Sequence, residues 1–482
     1  MQKAVDNKYV FEDMPVHRAI FHLAAPAVIG QIIQVIYNMA DTFFVGLAGS
    51  DAKITAVTVC MPAFMFITAI SNLFGVGGAS VISRAMGAKD PETAKGASAF
   101  AFWGSVLLMS LYCLGVFLFR HSFIDLLGGK DPMIHREALT YLTYTVIIGG
   151  ISVGMNALMA HLLRSQGKAL QSSLGIAGGG ILNIILDPLF MFVLLPEGQE
   201  ILGVALATML SNFASTIYFI FVVKRMGKST VLRFKPTRRA VQNHVPRDVL
   251  LTGLPACVMT MFENISYAVL DNRMMKYGTA VQAGVGIAKK INMLAHSVVR
   301  GMTQGVLPLI GYSYGARKMH RMKDTVMETA IISVCIAAGC TLVNLLWADS
   351  LVGIFIQHAS VSAGYASTFL NILSIGCPFS ACAYTFISFF QAVGKNGRSF
   401  VLAILRKGLL DIPLMFLLDK VWPINGITAA TPIADIICCV TALALSFSFI
   451  RGEINLENEE DLRQREEDRK LEENRRKRLE LM

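Results

Sequence analysis

Long apolar runs, separated by short polar breaks, recur along the whole 482-residue chain. Each run lasts about 20 residues or more, the length that a helix needs to cross the hydrocarbon core of a bilayer. Only helices or closed barrels satisfy their backbone groups in lipid, and barrel strands have only about 10 residues. The pattern therefore predicts an all-α polytopic membrane protein with about twelve transmembrane helices. The predicted spans are residues 19–46, 54–82, 97–119, 138–162, 170–195, 201–223, 249–272, 280–311, 326–347, 365–391, 399–418 and 424–450.

Composition supports a membrane protein and excludes other classes. Hydrophobic residues make up 54% of the chain and charged residues only 16%, whereas soluble domains carry about 25% charged residues. The net charge of +10 could indicate nucleic-acid binding, but the basic residues lie in short loops between apolar runs, so we expect no nucleic-acid partner. No HExxH or P-loop lysine motif is present, which argues against an enzyme and against direct use of ATP.

The distribution of Lys and Arg predicts the orientation. With the N-terminus inside, the inner segments hold roughly three times as many Lys and Arg as the outer loops, the bias that marks cytoplasmic loops. We therefore expect both termini in the cytoplasm and the chain in the inner (plasma) membrane. The predicted segments are a cytoplasmic N-terminal segment (1–18), a first six-helix bundle or N-lobe (19–223), a basic cytoplasmic linker (224–248), a second six-helix bundle or C-lobe (249–450) and a charged cytoplasmic tail (451–482). The tail is either a solvated helix or a disordered segment.

The two halves of the chain contain an internal repeat. Five short motifs recur in the same order, and the offset between equivalent residues drifts only from 229 to 223. The equivalent residues are Pro26 and Pro255, Gly87 and Gly315, Gly167 and Gly394, Asp187 and Asp411, and Thr208 and Thr431. Six spans in each half give the two repeats the same orientation, related by a pseudo-two-fold axis along the membrane normal. Such folds carry substrate between their halves by alternating access, so the repeat itself predicts a transporter.

Acidic residues inside the predicted spans are candidates for function, because charge in a membrane is costly. Asp187 follows Asn183 by four residues, which puts both on one helical face, and Pro188 makes that helix easy to bend. Asp41, near the outer end of the first span, and Thr208 in the sixth complete a set of hard oxygen donors. Such a set suits a proton or Na⁺ rather than a soft metal. The alternative is structural, with Asp187 capping a broken helix and Asp41 at the membrane interface.

Two acids of the second half have competing interpretations. Glu263 lies in the middle of the seventh predicted span, where a coupling role and a structural role are both open. Asp411 follows Arg406 by five residues and Lys407 by four, so we expect one of these side chains to neutralise it.

Several runs resemble the multidrug and toxic compound extrusion (MATE) family. PAVIGQIIQVIYNMADTFFVG (26–46) resembles the family's first span, and GVGGASVISRAMGAKDPETA (75–94) resembles its second span and the following loop. LRSQGKA, NIILDPLF and GVALAT resemble motifs of the fourth to sixth spans, and GLPACVMTMFE resembles the start of the seventh. The resemblance covers about residues 15–450.

The resemblance implies the MATE fold, two six-helix bundles that form a V around a central cavity. It implies a secondary active multidrug efflux transporter that expels cationic or amphipathic compounds by antiport with H⁺ or Na⁺. Beyond the coupling ion no cofactor is expected, and the protein is expected to be a monomer. The family's N-lobe ion site maps onto Asp41, Asn183, Asp187 and Thr208. A C-lobe acid of another branch maps onto Glu263, but that branch's acid on helix ten has no counterpart in 365–391, so we favour the N-lobe site.

Substrate contacts are expected on the first and fourth spans. The candidates are Gln34, Tyr37 and Asn38, which share roughly the face of Asp41, and Met155 and Asn156. An alternative function is a lipid-linked oligosaccharide flippase of the same superfamily, which usually has more basic groups in its cavity. The basic residues that could serve it here are Lys289, Lys290, Arg300, Arg406 and Lys407.

Overall fold

A computed structural model describes residues 7–47, 51–227, 230–233, 235, 244–356 and 360–480, which form helices and no strand. The first half contains α1 (Asn7–Glu12), α2 (Val16–Leu47), α3 (Asp51–Gly87), α4 (Pro91–Leu118), α5 (Arg120–Leu126), α6 (Pro132–Leu142), α7 (Gly150–Arg164), α8 (Ala169–Leu189) and α9 (Glu200–Met226). The second half contains α10 (Val245–Met275), α11 (Thr279–Gly315), α12 (Met319–Leu346), α13 (Ala348–Gly353), α14 (Val361–Ile375), α15 (Cys377–Ala392), α16 (Asn396–Ile404), α17 (Ile412–Val421) and α18 (Asn425–Glu480). Three π-helical stretches follow α6, α8 and α16, at Thr143–Ile148, Phe190–Leu194 and Leu405–Asp411.

Each predicted span lies along one helix or along consecutive helices. Within the described ranges, eight helices are long and apolar enough to cross a membrane, and two bent pairs raise the number to ten. The other two predicted spans, on α11 and on α16 with α17, include several Lys and Arg residues that lower their hydropathy. The prediction of an all-α polytopic membrane protein is confirmed.

Two predicted spans are bent rather than straight. The fourth bends by 49° between Ile148 and Gly150, where the π-helical stretch ends at a pair of glycines. The tenth bends by 44° between Ile375 and Cys377, just before Pro378. Proline and π-helical geometry both remove regular backbone hydrogen bonds, which explains why apolar runs that look continuous in sequence break at these points.

The predicted boundaries differ from the structure mainly at the linker and the tail. Helix α9 ends at Met226 and α10 begins at Val245, while residues 228, 229, 234 and 236–243 of the predicted linker lie outside the described residues. Helix α18 continues from the last predicted span to Glu480, so the backbone of the tail is helical. Of the two alternatives for the tail, the structure therefore agrees with the helix.

The internal repeat is visible in the backbone conformation. Lys89 and Arg317 both have a φ of 58°, and Gly167 and Gly394 both have a φ of 73°. A positive φ is uncommon outside glycine, so its recurrence at equivalent positions of the two halves indicates the same helix–turn–helix geometry in both.

Side-chain packing divides the described residues into two lobes that join at one end. We call this end the basic face; it carries the connections 88–90, 165–168, 316–318 and 393–395. At the opposite face, one buried apolar core belongs only to the first half of the chain and another only to the second. At the basic face, a single core joins the start of α2 to α11, α12, α15 and α18. The lobes are thus packed together at the basic face and have separate cores at the opposite face.

Two glycines allow α3 and α11 to cross in close contact at the basic face. A Cβ atom on Gly87 would lie 2.1 Å from the carbonyl oxygen of Tyr312, and one on Gly315 would lie 2.1 Å from the carbonyl oxygen of Arg84. Because Gly87 and Gly315 are equivalent in the repeat, the pseudo-two-fold axis passes through this crossing. Only a residue without a Cβ permits such an approach of two backbones.

The N-terminal segment also packs on the second lobe at this face. Phe11 of α1 is 1% exposed and stacks on Tyr312 with a ring-centroid distance of 4.9 Å. The Tyr312 hydroxyl donates to Glu12 Oε1 at 2.5 Å, which lowers the pKa of Glu12. The Arg321 guanidinium donates to the carbonyl oxygens of Phe11 and Met14 at 2.9 and 2.8 Å. These contacts add the start of the chain to the closure of the basic face.

We expect Gly315→Ala to destabilise the protein, because a clash with a backbone carbonyl cannot be relieved by a side-chain movement. Overpacking of this kind costs about 1–3 kcal/mol. Gly339→Ala is the matched control, since Gly339 is also helical and a Cβ there meets nothing within 4 Å. Thermal unfolding in detergent should show a lower melting temperature for Gly315→Ala and an unchanged or slightly higher one for Gly339→Ala, since Ala favours the helix over Gly. Equal melting temperatures for the two variants would contradict the account of the crossing.

Candidate functional site

Asp187 and Asn183 form the buried centre of the candidate site on α8. The two residues are 0% and 2% exposed, and Asn183 Nδ2 donates to Asp187 Oδ1 at 3.3 Å. This bond follows from their spacing of four residues on one helical face. Pro188 then removes a backbone N–H, and the chain continues as the π-helical stretch Phe190–Leu194. The sequence thus places a buried carboxyl group where the helix becomes irregular.

Asp41 on α2 brings a second carboxyl group to Asp187. Helices α2 and α8 pack against each other, and the two carboxyl groups are close enough to interact electrostatically. Two ionised carboxylates at this distance repel, so the pair favours a bound proton or another cation. Tyr37, one turn before Asp41, and Tyr141, near the end of α6, are close enough to interact electrostatically with both carboxylates. The site is therefore built on α2 and α8.

The four predicted ligand residues each carry a buried oxygen atom that has no hydrogen-bond partner among the described residues. These atoms are Asp41 Oδ1, Asn183 Oδ1, Asp187 Oδ2 and Thr208 Oγ1. Most buried polar atoms have a partner, and leaving one unpaired costs about 1–3 kcal/mol. Hard oxygen donors of this kind fit a proton or Na⁺. Thr208 lies on α9, which packs against α8, and its hydroxyl makes no hydrogen bond to either carboxylate.

The predicted substrate-binding residues occupy different environments. Tyr37 lies near the two carboxylates, whereas Gln34 and Asn38 of the same helix are half-buried and exposed. Met155 is 5% exposed and belongs to the apolar core of the first lobe. Asn156 is half-buried and hydrogen-bonded to a neighbouring helix. Of these five residues, the structure brings Tyr37 to the acids and places Met155 in the packing of the lobe.

A polar network that sequence analysis missed connects Asn156 to Thr208. Asn156 Nδ2 donates to Asn212 Oδ1 at 2.7 Å, and the Thr216 hydroxyl donates to Asn156 Oδ1 at 3.0 Å. Asn212 Nδ2 in turn donates to the carbonyl oxygen of Thr208 at 2.7 Å. The only signal in the sequence was the spacing of Thr208, Asn212 and Thr216 at intervals of four on one apolar span. Tyr141 gave no such signal, because its position depends on how α6 packs.

The acids of the second lobe are paired with basic side chains. Glu263 accepts hydrogen bonds from Arg300 at 2.5 Å and from the Tyr384 hydroxyl at 3.1 Å. Asp411 accepts from Lys407 at 2.7 Å, so of the two expected partners Lys407 is the one in contact. The other, Arg406, instead donates to Asp435 at 2.6 Å. The Lys407–Asp411 and Arg406–Asp435 pairs are almost fully buried.

The chain is similar to known proteins along nearly its whole length. The MatE family model matches residues 26–189 and again 255–417, once in each half of the repeat. The chain is 27% identical over 442 residues to the multidrug export protein MepA of Staphylococcus saprophyticus, which covers 92% of this chain and 96% of that protein. It is 27% identical over 458 residues to MepA of Staphylococcus aureus strain MSSA476, covering 94% and 98%.

Its fold is similar to that of solved transporters. The structure described as the outward-facing conformation of a multidrug resistance MATE family transporter of the MOP superfamily aligns with a TM-score of 0.86 at 22% identity. The alignment covers 94% of this chain and 100% of that one.

The paired carboxyl groups lead us to expect a cation-dependent stability that Asp187→Asn abolishes. A ligand that binds only the folded protein stabilises it by about 2.7 kcal/mol at 100 times its dissociation constant. Melting temperatures in detergent should therefore rise with Na⁺ or with proton concentration in the wild type and stay flat in Asp187→Asn. Asp349→Asn, at an exposed acid, serves as the control. A variant at Asp187 that keeps the full wild-type response would show that the cation binds elsewhere.

Proposed function

Because the chain belongs to the MatE family of membrane transporters, we propose that it is a multidrug efflux transporter that exchanges drugs for H⁺ or Na⁺. Drugs are proposed as substrates because the MepA relatives are named multidrug export proteins. The acids of the first lobe favour cationic or amphipathic compounds among them. The protein acts as a carrier rather than as an enzyme.

The observation that carries the coupling proposal is that two packed helices, α2 and α8, carry the acids Asp41 and Asp187 without a basic partner among the described residues. One oxygen of each group is buried and has no hydrogen-bond partner in the described part of the chain. An ionised pair in this environment strongly favours a cation, because a buried charge without a counter-charge is costly. Asn183 and Thr208 supply neutral oxygens that help to hold Na⁺, while a proton needs only the carboxyl groups.

Exchange follows if the coupling ion and the drug use the same negative charge. When H⁺ or Na⁺ neutralises the pair, a cationic drug loses its electrostatic partner and is released. When the ion leaves toward the cell interior, the charge is restored and a new drug molecule binds. A ligand shifts a conformational equilibrium only by its difference in affinity for the two states, so this competition is what couples the two movements.

Alternating access uses the two faces of the molecule. In the conformation described here, the lobes share one core at the basic face and have separate cores at the opposite face. We infer that transport alternates this arrangement with one in which the basic face opens. Opening must separate the backbone contacts of Gly87 with Tyr312 and of Gly315 with Arg84.

The paired acids of the second lobe favour coupling in the first lobe. Glu263 already has the guanidinium of Arg300 as its counter-charge, which leaves it little affinity for a second cation. The same pairing argues against the flippase alternative, because four of its five candidate basic residues contact a carboxylate: Lys289, Arg300, Arg406 and Lys407. The cavity therefore offers little uncompensated positive charge for an anionic lipid headgroup.

We expect Asp187→Asn to abolish gradient-driven efflux of ethidium from energised cells while the protein still reaches the membrane. The variant keeps the shape of the side chain and removes its charge. Asp41→Asn should have the same effect, and the double variant should be no worse than either single variant, since the pair acts as one unit. Asp349→Asn, at an exposed acid, should transport like the wild type. More than about half of wild-type efflux in Asp187→Asn would refute the coupling role, because a lost obligatory step leaves no partial rate.

Both the basic linker and the start of the tail should be cytoplasmic, because of the excess of Lys and Arg on this face. Single cysteines introduced as Lys235→Cys and Arg451→Cys should resist a membrane-impermeant maleimide in intact cells and react after the cells are opened. Lys130→Cys, at the other face, should react in intact cells. The background should carry Cys335→Ser, because Cys335 is exposed. Labelling of Lys235→Cys from outside would reverse the proposed topology.

A further inference from the structure

The internal repeat relates the N-lobe ion site to a cluster in the second lobe. Asp187 is equivalent to Asp411 and Thr208 to Thr431, at offsets of 224 and 223 residues. At the same offset of 224, Asn183 is equivalent to Lys407. Each lobe therefore has the pattern of an acid preceded by a polar residue at four positions. The difference is that a neutral amide in one lobe is replaced by an ammonium group in the other.

The two clusters differ in how their oxygen atoms are satisfied. Asp411 Oδ2 accepts hydrogen bonds from Lys407 Nζ at 2.7 Å and from the Ser266 hydroxyl at 2.6 Å, and Oδ1 accepts from the Thr431 hydroxyl at 2.9 Å. Both oxygens of this acid are therefore bonded. In the N-lobe, by contrast, Asp187 Oδ2 and the hydroxyl of Thr208 have no partner within the described residues.

The charges around Lys407 are balanced one by one. Lys407 is 2% exposed and Asp411 0%, and the adjacent Arg406 is paired with Asp435. Lys407 Nζ also lies 5.5 Å from the ring centroid of Tyr267. A buried charge whose partner is removed costs several kcal/mol, about 3–5 in measured cases. Taking away only the ammonium group would thus leave one uncompensated carboxylate, surrounded by two hydroxyl groups.

We propose that Lys407 is a built-in cation, whose ammonium group takes the place in the second lobe that the exchangeable cation takes in the first. The lysine converts what would be a second ion site into a permanently neutral cluster. Without it, Asp411, Thr431 and Ser266 form a site for a small monovalent cation, such as Na⁺ or methylammonium. The cation should carry a single charge, because the carboxylate of Asp411 is the one negative charge that loses its partner. This inference rests on the assignment of the N-lobe site in the proposed function.

The test is a set of variants in the Asp187→Asn background, where the response of the N-lobe site is removed. Lys407→Ala is the informative change, because it creates room for a small ammonium ion. The double variant Lys407→Ala with Asp411→Asn is the first control, because it removes both charges of the pair and leaves the cluster neutral. Lys420→Ala, at an exposed lysine, is the second control, for the loss of a positive charge alone. Melting temperatures of the full-length proteins in detergent are measured in methylammonium chloride or NaCl and in choline chloride of equal ionic strength.

Lys407→Ala should show a melting temperature that rises with the logarithm of the methylammonium or Na⁺ concentration, by about 3 °C over choline at 100 times the dissociation constant. Neither the double variant Lys407→Ala with Asp411→Asn nor Lys420→Ala should show a cation-specific rise in melting temperature. No cation-specific rise in folded Lys407→Ala, or the same rise in the Asp411→Asn control, would overturn the proposal.

Loss of folding is also informative. If Lys407→Ala fails to fold but its combination with Asp411→Asn folds, the lysine is needed as a counter-charge, as proposed. If neither folds, Lys407 acts through packing and the proposal is wrong. The N-lobe assignment is tested separately, by the effect of cations on the melting temperature of the wild-type protein. If cations do not change that melting temperature but raise the melting temperature of Lys407→Ala, the N-lobe site is refuted and the second-lobe cation site is supported.

Discussion

Charge balance in a low-dielectric interior is the constraint on which this structure depends. The second lobe satisfies it with its own side chains, as in the buried pairs of Arg406 with Asp435 and Lys407 with Asp411. The first lobe instead brings Asp41 and Asp187 together, and no basic side chain of the described residues interacts with that pair. Because like charges cannot both remain ionised cheaply in such a place, the first lobe depends on a cation from outside the chain.

Helix α2 links this electrostatic site to the packing of the two lobes. Its first turns, with Ala19 and Ile20 fully buried, belong to the core that joins both lobes at the basic face. Its far end carries Asp41. Pro26 lies between these two regions and weakens the helix there. A change in the charge of the site can therefore alter the contacts of α2 within one lobe and, through the same helix, its contacts with the other lobe.

Much of this could be predicted from sequence, for identifiable reasons. The length of an apolar run predicts a membrane helix well, because few other backbone structures are possible in lipid. The spacing of Asn183 and Asp187 predicts their contact, because residues four apart on a helix are neighbours. The bends at Gly149 and Gly376 were missed, since the runs around them remain apolar. The proximity of Tyr141 to the acids and the choice of Lys407 over Arg406 as the partner of Asp411 depend on packing between distant segments. The repeat was the most useful long-range signal, because it related Lys407 to Asn183.

The central claim is that drug and coupling ion compete for one negative charge in the first lobe. Equilibrium binding of ethidium to the purified protein, followed by fluorescence anisotropy at increasing Na⁺ or proton concentration, tests it directly. The apparent dissociation constant of ethidium should rise in proportion to the concentration of the coupling ion, once that concentration exceeds the ion's own dissociation constant. This dependence should disappear in Asp187→Asn. An ethidium affinity that is unchanged across the whole range of both ions, in protein shown to bind one of them, would contradict the claim.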